Sequence, residues 1–416
     1  MTNESDASPR RITNRPPFDC IALVLQGGGA LGAYQAGVFQ ALDEAGIEPD
    51  WISGISIGAF NSAIIAGNPP GQRVEKLRRF WERVTQPLAE WQALIPSGET
   101  IEEEAAASMA PHPTGFWLAA SRLIPAFNLD STRALLNQWA AGRVLFNGTP
   151  GFFALRPVTP WFWPAGSERA TSYYDASALK TTLEQHIDFD RINSGPMRLS
   201  VGAVNVRTGN FVYFDTAKDR IRAEHVMASG ALPPAFGAVE IDGEHYWDGG
   251  LVSNTPLRWV VDNSQQQDTL VFQVDLWSSR GELPRNMAHV NTRQKEIIYS
   301  SRTRAASTRF HEIQSIRNAL STLLEKMPAE LMEAPEYAVL RQFSERKVWN
   351  LVHLIYRAKH YEGDSKDYEF SRQSMVDHWR AGYDDTVRTL AHPQVLERPR
   401  SPDGVSVFDI AAHDKE

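Results

Sequence analysis

The sequence is poor in several features that would assign it to a particular class of protein. It contains one cysteine, Cys20, which excludes an intramolecular disulfide and fits a reducing compartment. No run approaches the ~18 apolar residues that a membrane-spanning helix needs. The formal net charge is −8, so no overall basic surface indicates nucleic-acid binding, and we expect no nucleic-acid partner.

The N-terminal residues also lack the pattern of a secretion signal. MTNESDASPRRITNRPP is polar and contains no apolar segment. We therefore expect a flexible tail over residues 1–18 and a cytoplasmic protein, with peripheral contact at a membrane surface left open. The 416 residues are otherwise globular in composition, with 42% hydrophobic and 22% charged residues, and they contain no internal repeat.

Apolar runs alternate along the chain with glycine turns and helical patterns. A strand-like run at 20–26 precedes a helical pattern at 30–45, and residues 50–67 repeat the arrangement. This alternation predicts an α/β fold with a mostly parallel sheet. The predicted units are a main domain over 19–280 with a Pro- and aromatic-rich insertion at about 86–170, a C-terminal α/β extension over 281–395, and a polar tail over 396–416.

The segment LVLQGGGALGAYQAGV, residues 23–38, places a glycine cluster between a strand-like run and a helical pattern. Gly27, Gly29 and Gly32 fit the G-x-G-x-x-G spacing of a dinucleotide site, and Asp50 lies at about the right distance to bind a ribose. Asp50, however, precedes its apolar strand instead of ending it. Glycines at a helix N-terminus also expose backbone N–H groups to an oxyanion. The sequence favours the oxyanion interpretation and leaves nucleotide binding as the alternative.

A second turn, GISIG at residues 54–58, has the G-x-S-x-G pattern of a nucleophile elbow. In such an elbow, serine lies at a strained strand-to-helix turn, and the flanking glycines allow other backbone segments to approach. An apolar strand precedes this turn and an apolar helix follows it, as the elbow requires. The pattern predicts Ser56 as a nucleophile, and a tightly packed turn without chemistry is the alternative.

Asp248 is the candidate base for this serine. It follows the strand-like EHYW and precedes Gly249 and Gly250, which let a tight turn approach another loop. A carboxyl group with an ordinary pKa near 4 is a weak base, so Asp248 needs a partly buried site. The spacing alone supports equally a turn held by an Asx hydrogen bond.

Several other side chains have open interpretations. The histidines after Asp248 leave a triad possible by residue order, but none lies on an obvious catalytic loop, and we expect structural or surface roles for them. The insertion aromatics fit a packed satellite core slightly better than a lipid-facing loop. A run of basic residues is typical of a solvated face, and contact with anionic lipid is the alternative; the run consists of Arg293, Lys295, Arg302, Arg304, Arg309 and Arg317. The histidines are His289, His311, His353, His360, His378 and His392, and the aromatics are Phe152, Phe153, Trp161, Phe162 and Trp163.

Taken in order, GGGALG at 27–32, GISIG at 54–58 and DGG at 248–250 resemble the patatin-like phospholipases and acyl hydrolases, specifically a bacterial branch with a C-terminal extension. The resemblance covers roughly residues 20–280. It implies a three-layer α/β/α sandwich that hydrolyses carboxylic esters of lipids. The family often carries Arg or Lys at the position of Leu31, a departure that leaves the backbone donors in place but removes a cation suited to a phosphate headgroup.

The resemblance also implies the site. Ser56 is the expected nucleophile and Asp248 the proton acceptor of a dyad without histidine, acting through an acyl-enzyme and with no metal or other cofactor. The expected oxyanion-hole residues are Gly27, Gly28, Gly29 and Gly32, and the expected supports of the motifs are Gly54, Gly58, Gly249 and Gly250. A lipid or acyl-ester substrate follows. A lipid-binding protein without catalysis is the main alternative, and oligomeric state is not predicted.

Overall fold

The described residues place nine strands in one central sheet. The structure is a computed structural model, and it describes residues 9–86, 129–264, 267–300, 303–344, 347–359, 361–401 and 403–410. The strands of the sheet are β1 (Cys20–Leu25), β2 (Trp51–Ile55), β5 (Arg198–Asn205), β6 (Phe211–Asp215), β7 (Val239–Ile241), β8 (Glu244–Asp248), β9 (Thr269–Asp275), β10 (Trp349–Ile355) and β11 (Val405–Phe408), and β3 (Ala154–Leu155) pairs with β4 (Tyr174–Asp175) separately.

The sheet is mostly parallel. Its order is β11-β10-β9-β1-β2-β5-β8-β7, and β6 pairs with β5. The pairs from β11 through to β5 are parallel, whereas β5 pairs antiparallel with both β6 and β8, and β7 with β8. The predicted α/β class with a mostly parallel sheet is confirmed.

Helices cover both faces of this sheet. They are α1 (Ala33–Glu44), α2 (Ile57–Ala66), α3 (Arg73–Val84), α4 (Leu129–Asn147), α5 (Ser177–His186), α6 (Phe189–Ser194), α7 (Ala223–Ser229), α8 (Leu257–Asn263), α9 (Met287–Tyr299), α10 (Thr303–Leu324), α11 (Pro335–Phe343) and α12 (Arg372–Leu390). Within the described residues, no helix combines the length and the apolar character that crossing a bilayer requires.

The sequence of β1, CIALVL, shows why the sheet is covered on both sides. Ile21, Leu23 and Leu25 belong to the larger apolar cluster, which includes residues of α1, α2 and α3. The alternating residues Cys20, Ala22 and Val24 belong to a second cluster, which includes residues of α8 and α10. A strand buried on both faces is apolar at every position, and this produces the three-layer α/β/α arrangement.

The C-terminal residues continue the main sheet and its helical layer. β10 pairs with β9, and α12 packs against α1. Two glycines let these helices approach closely. A Cβ on Gly37 would lie 1.8 Å from the Trp379 carbonyl oxygen, and one on Gly382 would lie 2.0 Å from the Tyr34 carbonyl oxygen. The polar tail predicted over 396–416 is wrong for residues 405–408, which form the edge strand β11 beside β10.

The insertion contains both packed and exposed aromatic residues. Residues 87–128 lie outside the described residues, and the remainder includes α4, β3 and short 3₁₀ turns. Phe152 and Phe153 are buried, whereas Trp161 and Phe162 are 84% and 80% exposed. Phe152 and Phe153 are therefore packed, but in the main apolar cluster and not in a satellite core, whereas residues 161 and 162 are not packed.

Candidate active site

Strand β5 brings Ser56 and Asp248 together. One edge of β5 pairs first with β2, whose last residue Ile55 is opposite Gly202. The next residue, Ala203, pairs with Asp248, the last residue of β8. Because β6 also pairs with Ala203, it occupies the other edge of β5, and β8 must lie on the β2 side. The two strands therefore end against each other, with Ser56 directly after one end and Asp248 at the other.

Ser56 occupies the strained turn that the elbow pattern predicts. Its φ and ψ are 54° and −126°, a left-handed conformation that is unusual for a non-glycine residue. The flanking glycines have no room for a side chain. A Cβ on Gly54 would lie 2.2 Å from the Gly58 oxygen, and one on Gly58 would lie 2.3 Å from the Leu25 oxygen. Backbone packing from three segments thus holds Ser56 partly exposed at the start of α2.

Ser229, at the end of α7, fixes the backbone of this turn. Its Oγ accepts the Ser56 N–H at 3.0 Å and donates to the Gly202 carbonyl oxygen at 2.6 Å. Ser229 is buried, so water does not compete for these hydrogen bonds. The sequence assigned no role to Ser229, since it belongs to none of the three glycine motifs.

Asp248 is buried and lies beside Ser56. The Asp248 carboxyl group accepts the Gly250 N–H at 2.7 Å. Burial raises the pKa of Asp248 to about 7, although the Gly250 N–H and the nearby Ser56 side chain act in the opposite direction. The predicted partly buried site and the Asx-type turn both occur, so the two interpretations of Asp248 are compatible. A carboxyl group with this pKa is suited to accept a proton near neutral pH.

Gly249 and Gly250 permit the close contacts of this turn. A Cβ on Gly249 would lie 2.7 Å from the Gly202 oxygen, and one on Gly250 would lie 3.1 Å from Oδ1 of Asp248. Gly249 therefore allows β8 to end against β5, which is the support predicted for this motif.

The glycine loop after β1 lies beside Ser56, where a Cβ on Gly27 would lie 3.0 Å from Cβ of Ser56. Gly28 and Gly29 are partly exposed and line the same cavity as Ser56 and Asp248. Gly27 also lines it, but its N–H donates to the Asn254 carbonyl oxygen at 3.2 Å. Asn254 further donates from Nδ2 to the Gly27 carbonyl oxygen at 3.0 Å. Gly28 and Gly29 therefore remain the candidate donors in this cavity.

Gly32 lies outside this cavity, in contrast to the prediction that grouped it with the donors. It is buried at the start of α1, where a Cβ would lie 2.5 Å from Cγ1 of Ile57 and 3.0 Å from the Trp81 ring. Its requirement for glycine comes from helix packing. Leu31 beside it is fully buried in the main apolar cluster, where a cation would carry a large desolvation cost.

The cavity beside Ser56 has a volume of about 250 Å³. Its remaining wall is mostly apolar and includes aromatic side chains from several segments of the chain, among them Phe60, Phe152, Phe153, Phe236 and Phe370. Phe152 stacks on Phe236 and meets Phe370 edge-on, so the aromatic rings pack as one cluster. The site thus joins a polar reaction centre to an apolar wall.

No histidine in the described part of the chain lines this cavity. His353 lies in β10, where burial lowers its pKa to about 4, and His378 contacts Glu362 on the α12 side. His360 lies outside the described residues. Among the residues that the structure describes, no group of three or more His, Cys, Asp or Glu is placed to hold a metal ion.

Asp50 has a structural position that does not suit a ribose. Its carboxylate accepts the Ile21 N–H at 2.7 Å and pairs with Arg15. Ile21 and Asp50 lie at the amino ends of β1 and β2, whereas the glycine loop follows the carboxyl end of β1. The dinucleotide interpretation therefore lacks the acidic residue that would bind the ribose.

The fold and the Ser–Asp contact define an α/β protein with a serine elbow and a buried carboxyl partner. A family model described as patatin-like phospholipase matches residues 23–260, and a second, described as patatin phospholipase, matches residues 297–402. The first match covers more than half of the 416 residues, so the chain belongs to the patatin-like phospholipase family.

Individual relatives match shorter segments. Lysophospholipase nte1 of Aspergillus terreus is 61% identical over 56 residues, which are 14% of this chain and 4% of that protein. Human patatin-like phospholipase domain-containing protein 6 is 44% identical over 63 residues, which are 15% of this chain and 5% of that protein. The matched regions are thus a small part of these long relatives. Among solved structures, VipD from Legionella pneumophila aligns with a TM-score of 0.38 at 14% identity, over 99% of this chain and 78% of VipD.

Proposed function

We propose that this protein is a serine acyl hydrolase that cleaves carboxylic ester bonds of lipids, as a phospholipase A, lysophospholipase or esterase. The observation that carries the proposal is that Ser56, the buried Asp248, Gly28 and Gly29 line one mostly apolar cavity. Membership of the patatin-like phospholipase family supports the same activity.

In the first step, Asp248 accepts the Ser56 hydroxyl proton while Oγ attacks the ester carbonyl carbon. The carbonyl oxygen becomes an oxyanion, which the Gly28 and Gly29 N–H groups stabilise. A single donor of this kind contributes about 2.7–4 kcal/mol to the transition state. The intermediate then collapses to the acyl-enzyme, and the leaving alcohol takes the proton that Asp248 holds.

In the second step, water replaces the alcohol. Asp248 accepts a proton from the water, whose oxygen attacks the acyl carbon, and the same N–H groups hold the second oxyanion. Collapse releases the carboxylic acid and returns the proton to Ser56 Oγ. Each half of the reaction uses the same residues, so the cycle consumes only ester and water.

The acyl chain fits the aromatic wall. A cavity of about 150 Å³ lined by apolar side chains binds benzene in another protein, so about 250 Å³ accommodates roughly ten carbon atoms. We expect one medium-length acyl chain to occupy it, with the alcohol portion of the lipid towards solvent.

Peripheral contact with a lipid surface is the second part of the proposal. Exposed apolar side chains occur in three segments, each within three positions of a residue that lines the cavity. This apolar rim consists of Phe146, Leu251, Val252, Ile297 and Ile298. An acyl chain leaving a bilayer at this rim would pass into the cavity without crossing bulk water. The net charge of −8 gives no general attraction to anionic lipid, so contact should depend on apolar burial.

The decisive experiment labels the purified protein with a fluorophosphonate and measures hydrolysis of a panel of lysophospholipids, phospholipids, glycerides and p-nitrophenyl esters. Wild type should be labelled at Ser56 and should release fatty acid, whereas Ser56→Ala should do neither. Lipid binding by wild type without labelling or turnover would instead indicate a non-catalytic lipid-binding protein.

The rim is tested by sedimentation with phosphatidylcholine vesicles. Phe146→Ser and Ile298→Ser should each reduce vesicle partitioning by about tenfold to 100-fold, since burying one such side chain contributes about 1.5–3 kcal/mol. Phe343→Ser is the matched control, because this residue is 57% exposed on α11. Equal losses from the control and the rim variants would contradict this part of the proposal, as would a requirement for anionic lipid.

A further inference from the structure

A segment of the C-terminal region crosses directly over the glycine loop. Residues 364–370, here called the strap, follow β10 and precede α12. The carbonyl oxygen of Asp367 accepts the Ala30 N–H at 2.8 Å. Gly29 has a φ of 55°, and a Cβ there would lie 2.0 Å from the same oxygen. The strap therefore rests on the loop that carries the Gly28 and Gly29 N–H groups.

Lys295, on α9, holds the strap in place. Its Nζ donates to the Asp364 carbonyl oxygen at 2.7 Å and to Oδ1 of Asp367 at 2.8 Å. It also lies 4.9 Å from the centre of the Tyr368 ring, which lines the cavity. The expected solvated face is thus wrong for Lys295, which is partly buried and bonded at three points of the strap.

The other side of the loop is fixed by the segment after β9. Trp277 donates from Nε1 to the Gly27 carbonyl oxygen at 3.1 Å. Lys366 of the strap lies 5.2 Å from the Trp277 ring and pairs with Glu296 of α9 at 2.8 Å. The peptide groups on either side of Gly28 and Gly29 are therefore held by residues that contact the strap.

We infer that Lys295 is a positioning residue for the reaction, and that it acts through the strap to direct the Gly28 and Gly29 N–H groups at the oxyanion. The C-terminal region, whose role the sequence leaves open, then completes the active site. This inference rests on the proposed hydrolase function, because the donors have a catalytic role only if an oxyanion forms.

The expected kinetic effect follows from where the donors act. An oxyanion exists only in the transition state and the tetrahedral intermediates, so misdirected donors lower kcat and leave substrate binding in the apolar cavity nearly unchanged. A displacement of about 1 Å at such a site costs up to about 100-fold in rate. Because Lys295 acts on the donors indirectly, through the strap, we expect a smaller loss, of about tenfold to 50-fold.

The test compares Lys295→Met, Lys295→Gln and Lys295→Arg with wild type on a soluble p-nitrophenyl ester. Lys295→Met and Lys295→Gln should lower kcat by about tenfold to 50-fold with KM within about twofold. Lys295→Arg should restore at least half of the activity, because a guanidinium can donate to the same oxygens. The glutamine variant keeps a hydrogen-bond donor for the case in which methionine prevents folding.

The matched control is Arg357→Met. Arg357 pairs with Asp409 at 3.0 Å, and the two side chains are 30% and 29% exposed, close to the 30% and 23% of Lys295 and Asp367. This pair joins the ends of β10 and β11 and does not touch the loop. The control should lose comparable thermal stability while kcat stays at the wild-type value.

Two results overturn the inference. One is an unchanged kcat in folded Lys295→Gln, and the other is an equal fall of kcat in Arg357→Met. An inactive wild type, indistinguishable from Ser56→Ala, would instead refute the proposed hydrolase function, so the two failures are separable.

Discussion

Replacing Asp248 by asparagine tests the proposed base and its electrostatic cost in one variant. Asparagine has nearly the same shape, and its Oδ1 can still accept the Gly250 N–H that bonds to Asp248. It cannot take the Ser56 proton, so ester hydrolysis should fall to the Ser56→Ala level. The same change removes an ionisable group from a buried position, and it should therefore stabilise the fold at alkaline pH.

The size of this gain follows from the pKa of Asp248, which burial raises from 3.8 to about 7. At 1.36 kcal/mol per pKa unit, this shift corresponds to about 4 kcal/mol. Below about pH 4 the carboxyl group is protonated in both the folded and the unfolded state. As pH rises from there to about 7, the unfolded state loses its proton first, so the stability of wild type falls relative to the variant. Above about pH 7 the difference is constant.

The measurement is the free energy of unfolding of wild type and Asp248→Asn, from urea titrations between about pH 4 and pH 9. The variant should match wild type at the acid end and exceed it by about 4 kcal/mol at the alkaline end. In parallel, kcat/KM of wild type should rise with pH through a midpoint of about 7, because Asp248 acts as a base in its ionised form. A pH-independent stability difference, or full activity in the variant, would refute this reasoning.

Three further substitutions test other parts of the site. Gly29→Ala should abolish hydrolysis and lower the melting temperature, because its Cβ would lie 2.0 Å from the Asp367 oxygen at a φ of 55°; wild-type activity in this variant would contradict the placement of the strap. Gly54→Ala should prevent soluble expression or cost at least about 3 kcal/mol in unfolding titrations, since its Cβ would lie 2.2 Å from the Gly58 oxygen. Phe152→Ala should enlarge the cavity and raise kcat/KM for long-chain relative to short-chain p-nitrophenyl esters, and an unchanged ratio would remove Phe152 from the acyl wall.

The two proposed reacting residues could be singled out from the sequence because their signals are local. A glycine pattern around Ser56 identifies an elbow, and two glycines after Asp248 identify a tight turn. Their meeting was not predictable from local pattern, since it depends on successive residues of β5, Gly202 and Ala203, pairing with the ends of two different strands. Only the family resemblance brought the two motifs together before the fold was known.

The glycine loop shows a limit of motif spacing. Four glycines were candidates for the oxyanion donors, and nothing in their spacing separates them. Gly27 differs from the other glycines because its N–H donates to the carbonyl oxygen of Asn254, 227 positions away. Gly32 differs because it packs against Ile57, which leaves no space for a Cβ there. Long-range contacts of irregular segments carry no periodic signal in the sequence.

The C-terminal region was difficult for the same physical reason. Strand β11 is four residues long and lies at a sheet edge, so its alternation is too short to distinguish from a polar tail. The strap has neither helical nor strand periodicity. The insertion aromatics illustrate a related problem, because Phe152 and Phe162 lie in segments of similar composition but are 7% and 80% exposed.

Ser56 and Asp248 both cost folding free energy, and the fold should tolerate their replacement, because other residues hold the turn. The left-handed conformation of Ser56 costs about 1–3 kcal/mol, and the buried ionised form of Asp248 costs about 4 kcal/mol. Neither group stabilises the fold. The turn is instead held by backbone contacts at Gly54, Gly58 and Gly249, where a Cβ would lie within 2.7 Å of a backbone oxygen. The fold should therefore accept conservative changes at both reacting side chains, although these end catalysis, and should fail at the three glycines, which take no part in the chemistry.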